Sequence, residues 1–136
     1  PFIRTNLPQD TPQAQREAIV QGIHQALVDS IGMPPDELFN MVADYAPNQF
    51  WCNRSFNGIQ RSERVVVVEI TMRRGRSDAM KRELYTAIAR NLQAGAGVEP
   101  ADVLIFTHEN DYSDWSVCLG QFAMGLHQRV GGADPR

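Results

Sequence analysis

The sequence carries one pattern twice, at an offset of 65 residues, and an internal repeat limits the possible folds more than any single motif. Gly32-Met33-Pro34-Pro35 has its counterpart in Gly97-Val98-Glu99-Pro100, and the same offset lays Ile19, Ile23 and Leu27 on Leu84, Ile88 and Leu92. A turn and an apolar stripe in one register point to a duplicated unit. Each copy reads as strand, helix, strand. In the first, Phe2 to Leu7 is extended, Thr11 is placed to cap a helix with Pro12 at its first position, and Ile19, Ile23, Leu27 and Ile31 recur every four residues. Gly32 and the proline pair stop that helix, and Leu38 to Tyr45 brings Phe39, Met41 and Val42 to a second strand. The second copy repeats the order with Val65 to Met72, a helix from about Asp78 to Ala94 behind a Ser77 cap, and Val103 to His108. The pseudo-repeats thus span about 1–46 and 65–110, with a polar loop from Ala46 to Arg64 between them. A short apolar stretch, Val117 to Leu126, and a flexible tail over about 127–136 follow.

A β-α-β unit joins parallel strands through a right-handed crossover, so each copy puts its helix on a face of the sheet. The expected fold is α+β: two consecutive β-α-β units forming a mixed four-stranded sheet with two helices on one face, within a single domain over 1–136. The 43% of hydrophobic residues are enough for one core in a chain of this length. Val65-Val66-Val67-Val68 is apolar without alternation, as strands covered on both faces are. With no third long helix to cover the second face, a homo-oligomer whose sheets pack on one another is the economical expectation.

The same composition excludes several function classes. No apolar run approaches the roughly 18 residues of a membrane helix, and Arg4, Asn6 and Gln9 interrupt any signal-like start, so no membrane partner is expected. A formal charge of −3 does not favour nucleic acid. Cys52 and Cys118 have no metal spacing, nor do His24, His108 and His127, so no metal is expected and a reducing, cytoplasmic setting is read.

Four places hold residues capable of chemistry. Pro1 is read as the residue exposed by loss of an initiator methionine, a secondary amine held at the start of a strand by Phe2 and Ile3; an α-amino group titrates near 8, close enough to neutrality to serve as base or acid. Arg73-Arg74-Gly75-Arg76 ends the third strand, and it is either a solvated turn or a bidentate clamp for a small carboxylate, with Gly75 permitting the bend. By the repeat offset Pro1 corresponds to Val66, at the far end of the equivalent strand, so sequence alone does not make Pro1 and the arginines neighbours. Asp36 and Glu37 precede the second strand as solvated turn residues or a general base. Trp115, in Asp114-Trp115-Ser116, is either core packing or the apolar wall of a pocket.

Together these residues resemble the tautomerase superfamily, and within it the malonate semialdehyde decarboxylase-like group. The likeness runs from Pro1 to about Ala123. It rests on Pro1, Gly32-Met33-Pro34-Pro35, Gly58-Ile59-Gln60-Arg61-Ser62, Arg73 with Arg76-Ser77, and Asp114-Trp115-Ser116 in that order. The resemblance implies a homotrimer, a cofactor-free reaction on a small carboxylic acid, Pro1 as the catalytic amine, Arg73 and Arg76 as substrate-carboxylate ligands, and Trp115 lining the pocket. Glu37 stands where members that decarboxylate or add water carry an acid, usually aspartate. One extra residue separates the two arginines, and Val117 stands where the decarboxylase has an aromatic residue.

Two mechanisms follow, with opposite charge at Pro1. The leading one is keto-enol tautomerisation of a 2-oxo acid, in which neutral Pro1 takes a proton next to the carbonyl and returns it to the enol oxygen. The alternative is decarboxylation or hydration of a three-carbon acid, with Pro1 cationic and Glu37 orienting water. A rival of another class is a ferredoxin-like binding module, which shares the element order and does no chemistry.

Overall fold

The structure is a computed structural model that describes residues 1–123. His127, the end of the apolar stretch that began at Val117, and the tail expected over 127–136 lie outside the described residues. Six main elements follow one another: β1 (Phe2–Pro8), α1 (Gln13–Ile31), β2 (Asn40–Tyr45), β3 (Val66–Arg73), α2 (Asp78–Ala96) and β4 (Val103–Asn110).

The two copies of the repeat end their helices in the same way. Gly32 and Gly97 both take φ +68°, the left-handed conformation that lets a helix close on its own last carbonyls. The next residue then turns into the core, Met33 donating its N–H to Leu27 O and Val98 to Leu92 O. Both side chains are buried. At the helix starts the copies differ. Ser77 caps α2, its Oγ accepting from Met80 N at 3.2 Å, whereas Thr11 does not cap α1. The buried Thr11 hydroxyl donates instead to Pro8 O at 2.6 Å, closing the turn out of β1, and the helix begins behind Pro12.

The sheet runs β2-β1-β3-β4, with β1 parallel to β2, β3 parallel to β4, and β1 antiparallel to β3. It is the mixed four-stranded sheet of two β-α-β units that the repeat predicts. Ile3, Leu7, Val68, Ile70 and Met72 alternate along β1 and β3 onto one face, where they join Ile19, Ile23 and Leu27 of α1 and Leu84, Ile88 and Leu92 of α2 in a single core. Both helices therefore cover the same face. They approach closely at Gly22, where an added Cβ would lie 3.1 Å from Leu92 Cδ1 and where Asn91 Nδ2 donates to the Gly22 carbonyl at 2.9 Å.

The opposite face stays open within one protomer. Val67 is half-buried between buried neighbours, and Met41, Leu104 and Phe106 are exposed. The valine run thus alternates in burial here, and its two-sided apolar character matches a face that one chain leaves uncovered.

Candidate active site

Antiparallel pairing of β1 with β3 decides where the site forms. The register sets Phe2 opposite Thr71, so the chain start reaches the end of β3 and Pro1 lies beside the Met72-Arg73 step. The repeat offset matched Pro1 to Val66 because it compares equivalent positions in two copies, whereas the copies meet head to tail. The opposed strands bring Pro1 and Arg73 into one cleft within one chain.

Glu37 arrives from the other side of β1. The Pro34-Pro35 turn closes with Glu37 N donating to Pro34 O at 3.0 Å, and His24 on α1 holds it through Nε2 and Pro35 O at 2.7 Å. Ile3 N then donates to Phe39 O at 2.9 Å, drawing the segment along β1 before the ladder of β2 begins. The result is an ion pair of 2.6 Å between the Pro1 nitrogen and Glu37 Oε2. The pyrrolidine ring is buried, with 1% of the side chain accessible, while 24% of the Glu37 side chain remains so. Asp36 is exposed in the turn and is not part of the cleft lining.

Arg73 is held by its surroundings on three sides. Its Cζ lies 5.0 Å from the centroid of the Tyr112 ring, its Nη1 donates to Arg74 O at 3.3 Å, and a Cβ on Gly75 would lie 3.3 Å from Nη1. Gly75 has φ +125°, a conformation side chains disfavour, so the bend leaves room for the guanidinium because the residue is glycine. Arg73 Nε is buried with no hydrogen-bond partner among the described residues, a donor whose direction the planar guanidinium fixes.

Arg76 is placed differently from Arg73. It is 8% exposed, its Nη1 donates to the Arg73 carbonyl at 2.9 Å, and it is not among the residues lining the cleft. Its charge backs the strand end that carries Arg73. Arg74 points away and pairs with Asp111 at 3.1 Å, which raises the Arg74 pKa further.

Trp115 lines the cleft, with its indole N–H donating to Asn110 Oδ1 at 2.7 Å. Asn110 also accepts Arg74 N at its carbonyl, 2.7 Å away, and pairs with Arg73 across the ladder. One residue therefore ties the arginine strand to the tryptophan wall. Asp111 and Asp114 cap the short turn between them reciprocally. Tyr112 and Phe39 complete the wall, and neither was singled out as a site residue from sequence. Phe39 read only as a strand residue. Asn110 and Tyr112 follow the last apolar alternation of β4, where no periodicity marks a side chain. The cleft encloses about 530 Å³. Among the described residues, no group of three His, Cys, Asp or Glu side chains is disposed to hold a metal ion, and no helix is long and apolar enough to cross a membrane.

Comparison with known proteins matches this arrangement to one family. A family model described as tautomerase enzyme covers residues 37–118, and a second with the same description covers 1–53. The chain is 25% identical over 124 residues to "Probable tautomerase YusQ" of Bacillus subtilis (strain 168), spanning 91% of this chain and 98% of that one. Among solved structures, FG41 malonate semialdehyde decarboxylase inhibited by 3-bromopropiolate is 31% identical, with a TM-score of 0.88 over 99% of this chain and 100% of that one. A fused 4-OT trimer shares the fold at a TM-score of 0.78 and 21% identity, over 93% of this chain and 98% of that one. Matched in sequence from Pro1 to Cys118 and in fold over nearly its whole length, the chain belongs to the tautomerase family.

Proposed function

We propose that the protein is a cofactor-independent enzyme that uses the Pro1 amine on a small oxo or unsaturated carboxylic acid, with Arg73 holding the carboxylate. The 2.6 Å ion pair between Pro1 and Glu37 carries the reading. The pair sets an amine donor and an acid side by side in one cleft, the arrangement used by an amine that donates to a carbonyl oxygen while its neighbour orients water.

The reaction this favours is decarboxylation or hydration of a short acid. For a 3-oxo acid with its carboxylate on Arg73, the Pro1 ammonium donates a hydrogen bond to the C3 oxygen. The C1–C2 bond breaks, its electron pair passes into the enolate, carbon dioxide leaves, and C2 takes a proton to give the aldehyde or ketone. For an unsaturated acid, Glu37 accepts a proton from water as the oxygen attacks, and the Pro1 ammonium protonates the neighbouring carbon. Both balance without a cofactor. Similarity to a malonate semialdehyde decarboxylase supports this choice.

A second reading rests on the same contact. There Pro1, beside Glu37, is the base that removes a proton next to the carbonyl of a 2-oxo acid and returns it to the enol oxygen. Similarity to a probable tautomerase supports that keto-enol reaction. Arg76 acts in either case by supporting Arg73 through its carbonyl. The working form is proposed to be a homotrimer packed through the open sheet face, as the fused 4-OT of the same fold is a symmetric trimer.

Glu37→Gln separates the two chemistries. Assayed with 3-oxopropanoate and with the enol of a 2-oxo acid, the variant is expected to lose at least about a hundredfold in kcat/KM on the first. Retention of that activity, with loss of enol turnover instead, would favour the tautomerase reading.

A further inference from the structure

His24 shares no metal spacing with the other histidines, yet its one hydrogen bond falls where the backbone delivers Glu37. It lies half-buried on α1, next to the core residue Ile23, with Nε2 2.7 Å from Pro35 O. A carbonyl oxygen only accepts, so Nε2 carries the hydrogen and donates it. The contact is made within one protomer, in the helix layer and not on the open sheet face.

The stretch that His24 meets is poor in donors. Met33 is anchored to the helix end through Leu27 O, and Phe39 is drawn onto β1 by Ile3 N. Between these anchors Pro34 and Pro35 have no N–H, and Glu37 N donates to Pro34 O, which closes the turn on itself without tying it to the rest of the fold. The Pro35 carbonyl belongs to the middle peptide of that turn, and the orientation of this peptide sets how the chain leaves toward Glu37. His24 fixes it to a helix seated in the core through Ile19, Ile23 and Leu27. Two residues beyond the held carbonyl, Glu37 Oε2 lies 2.6 Å from the Pro1 nitrogen.

We propose that His24 is a positioning residue for the reaction, setting Glu37 against the Pro1 amine through the Pro35 carbonyl. This rests on the reading of Pro1 and Glu37 as the reacting pair and adds the group that aligns them. A shift of about 1 Å at a reacting group costs about a hundredfold in rate, so a turn released from α1 lowers turnover although no contact with substrate is lost. Arg73 comes from β3, on a separate element, so binding of the carboxylate is left in place.

Substitutions at His24 in the full chain, assayed on 3-oxopropanoate, test this. His24→Ala is expected to lower kcat about tenfold, with KM within about threefold of its original value. His24→Gln puts an amide N–H about where Nε2 stood and is expected to retain kcat within about threefold, whereas the shorter His24→Asn is expected to lose about as much as alanine. In a Glu37→Gln background, His24→Ala is expected to cost less than about twofold further, because the residue through which it acts is already gone. A readout independent of turnover is the nitrogen resonance of Pro1 in protein carrying isotope-labelled proline. His24→Ala is expected to move it toward its position in Glu37→Gln, and His24→Gln to leave it in place. An unchanged kcat in His24→Ala while Glu37→Gln loses activity, a full further loss in the Glu37→Gln background, or a glutamine variant as impaired as alanine would overturn the inference. Should Glu37→Gln itself leave turnover unchanged, the proposed reaction fails and the resonance decides: movement in alanine that glutamine restores supports positioning by His24, and no movement overturns it.

Discussion

Gly75 shows how much of this site hangs on a single backbone conformation. Its φ of +125° and the 3.3 Å from a virtual Cβ to Arg73 Nη1 mean that Gly75→Ala must both strain the turn and push the guanidinium. A disturbed charge-assisted contact is worth about 1.5–3 kcal/mol, so KM for the acid substrate should rise about tenfold or more while kcat changes little. Steady-state kinetics on the variant check this. At the same scale, Pro1, Glu37, Arg73 and Trp115, candidates because each is a residue type with distinctive chemistry at an element boundary, all line the cleft. Arg76 looked equivalent to Arg73, since both belong to the single turn Arg73-Arg74-Gly75-Arg76. The difference appears only in three dimensions, where one guanidinium faces the cleft and the other donates to its neighbour's carbonyl. Asn110 could not be picked out at all, because joining Trp115 to the arginine strand depends on a hydrogen bond that no spacing announces.

Helices and strands were the easiest level to read. The stripe Ile19, Ile23, Leu27 and its echo Leu84, Ile88, Leu92 are buried as a helical period requires, and the two glycine stops share one φ. Thr11 is the exception. A threonine before a proline has the composition of a helix cap, yet the Pro8 carbonyl lies within its reach and takes its hydroxyl, so the tight turn after β1 wins over the cap. The helix pair also depends on one residue with no side chain. Gly22 allows α1 to approach Leu92 and Asn91, and Gly22→Leu should overpack that crossing. A loss of about 1–3 kcal/mol in urea unfolding is expected, with an unchanged slope. An unaffected midpoint would mean that the helices have room to separate.

For the molecule as a whole, the repeat announced two β-α-β units but not how they join, and the join creates the site. Antiparallel contact of β1 with β3 sets the start of one unit beside the end of the other's first strand; parallel contact would have left Pro1 and Arg73 at opposite ends of the sheet. The same arrangement leaves Met41, Leu104 and Phe106 exposed on the second face. If that face closes the proposed trimer, Phe106→Glu should reduce the mass in light scattering from about three times 15.3 kDa to that of one protomer. The account's central claim, that the Pro1 amine performs the reaction, is tested most directly by kcat/KM of Pro1→Ala on its best oxo acid, with circular dichroism and light scattering to confirm the fold and assembly. A fall of about 10²–10⁴-fold in a protein of unaltered fold and mass is the predicted result; turnover within a few-fold of the original would contradict the claim.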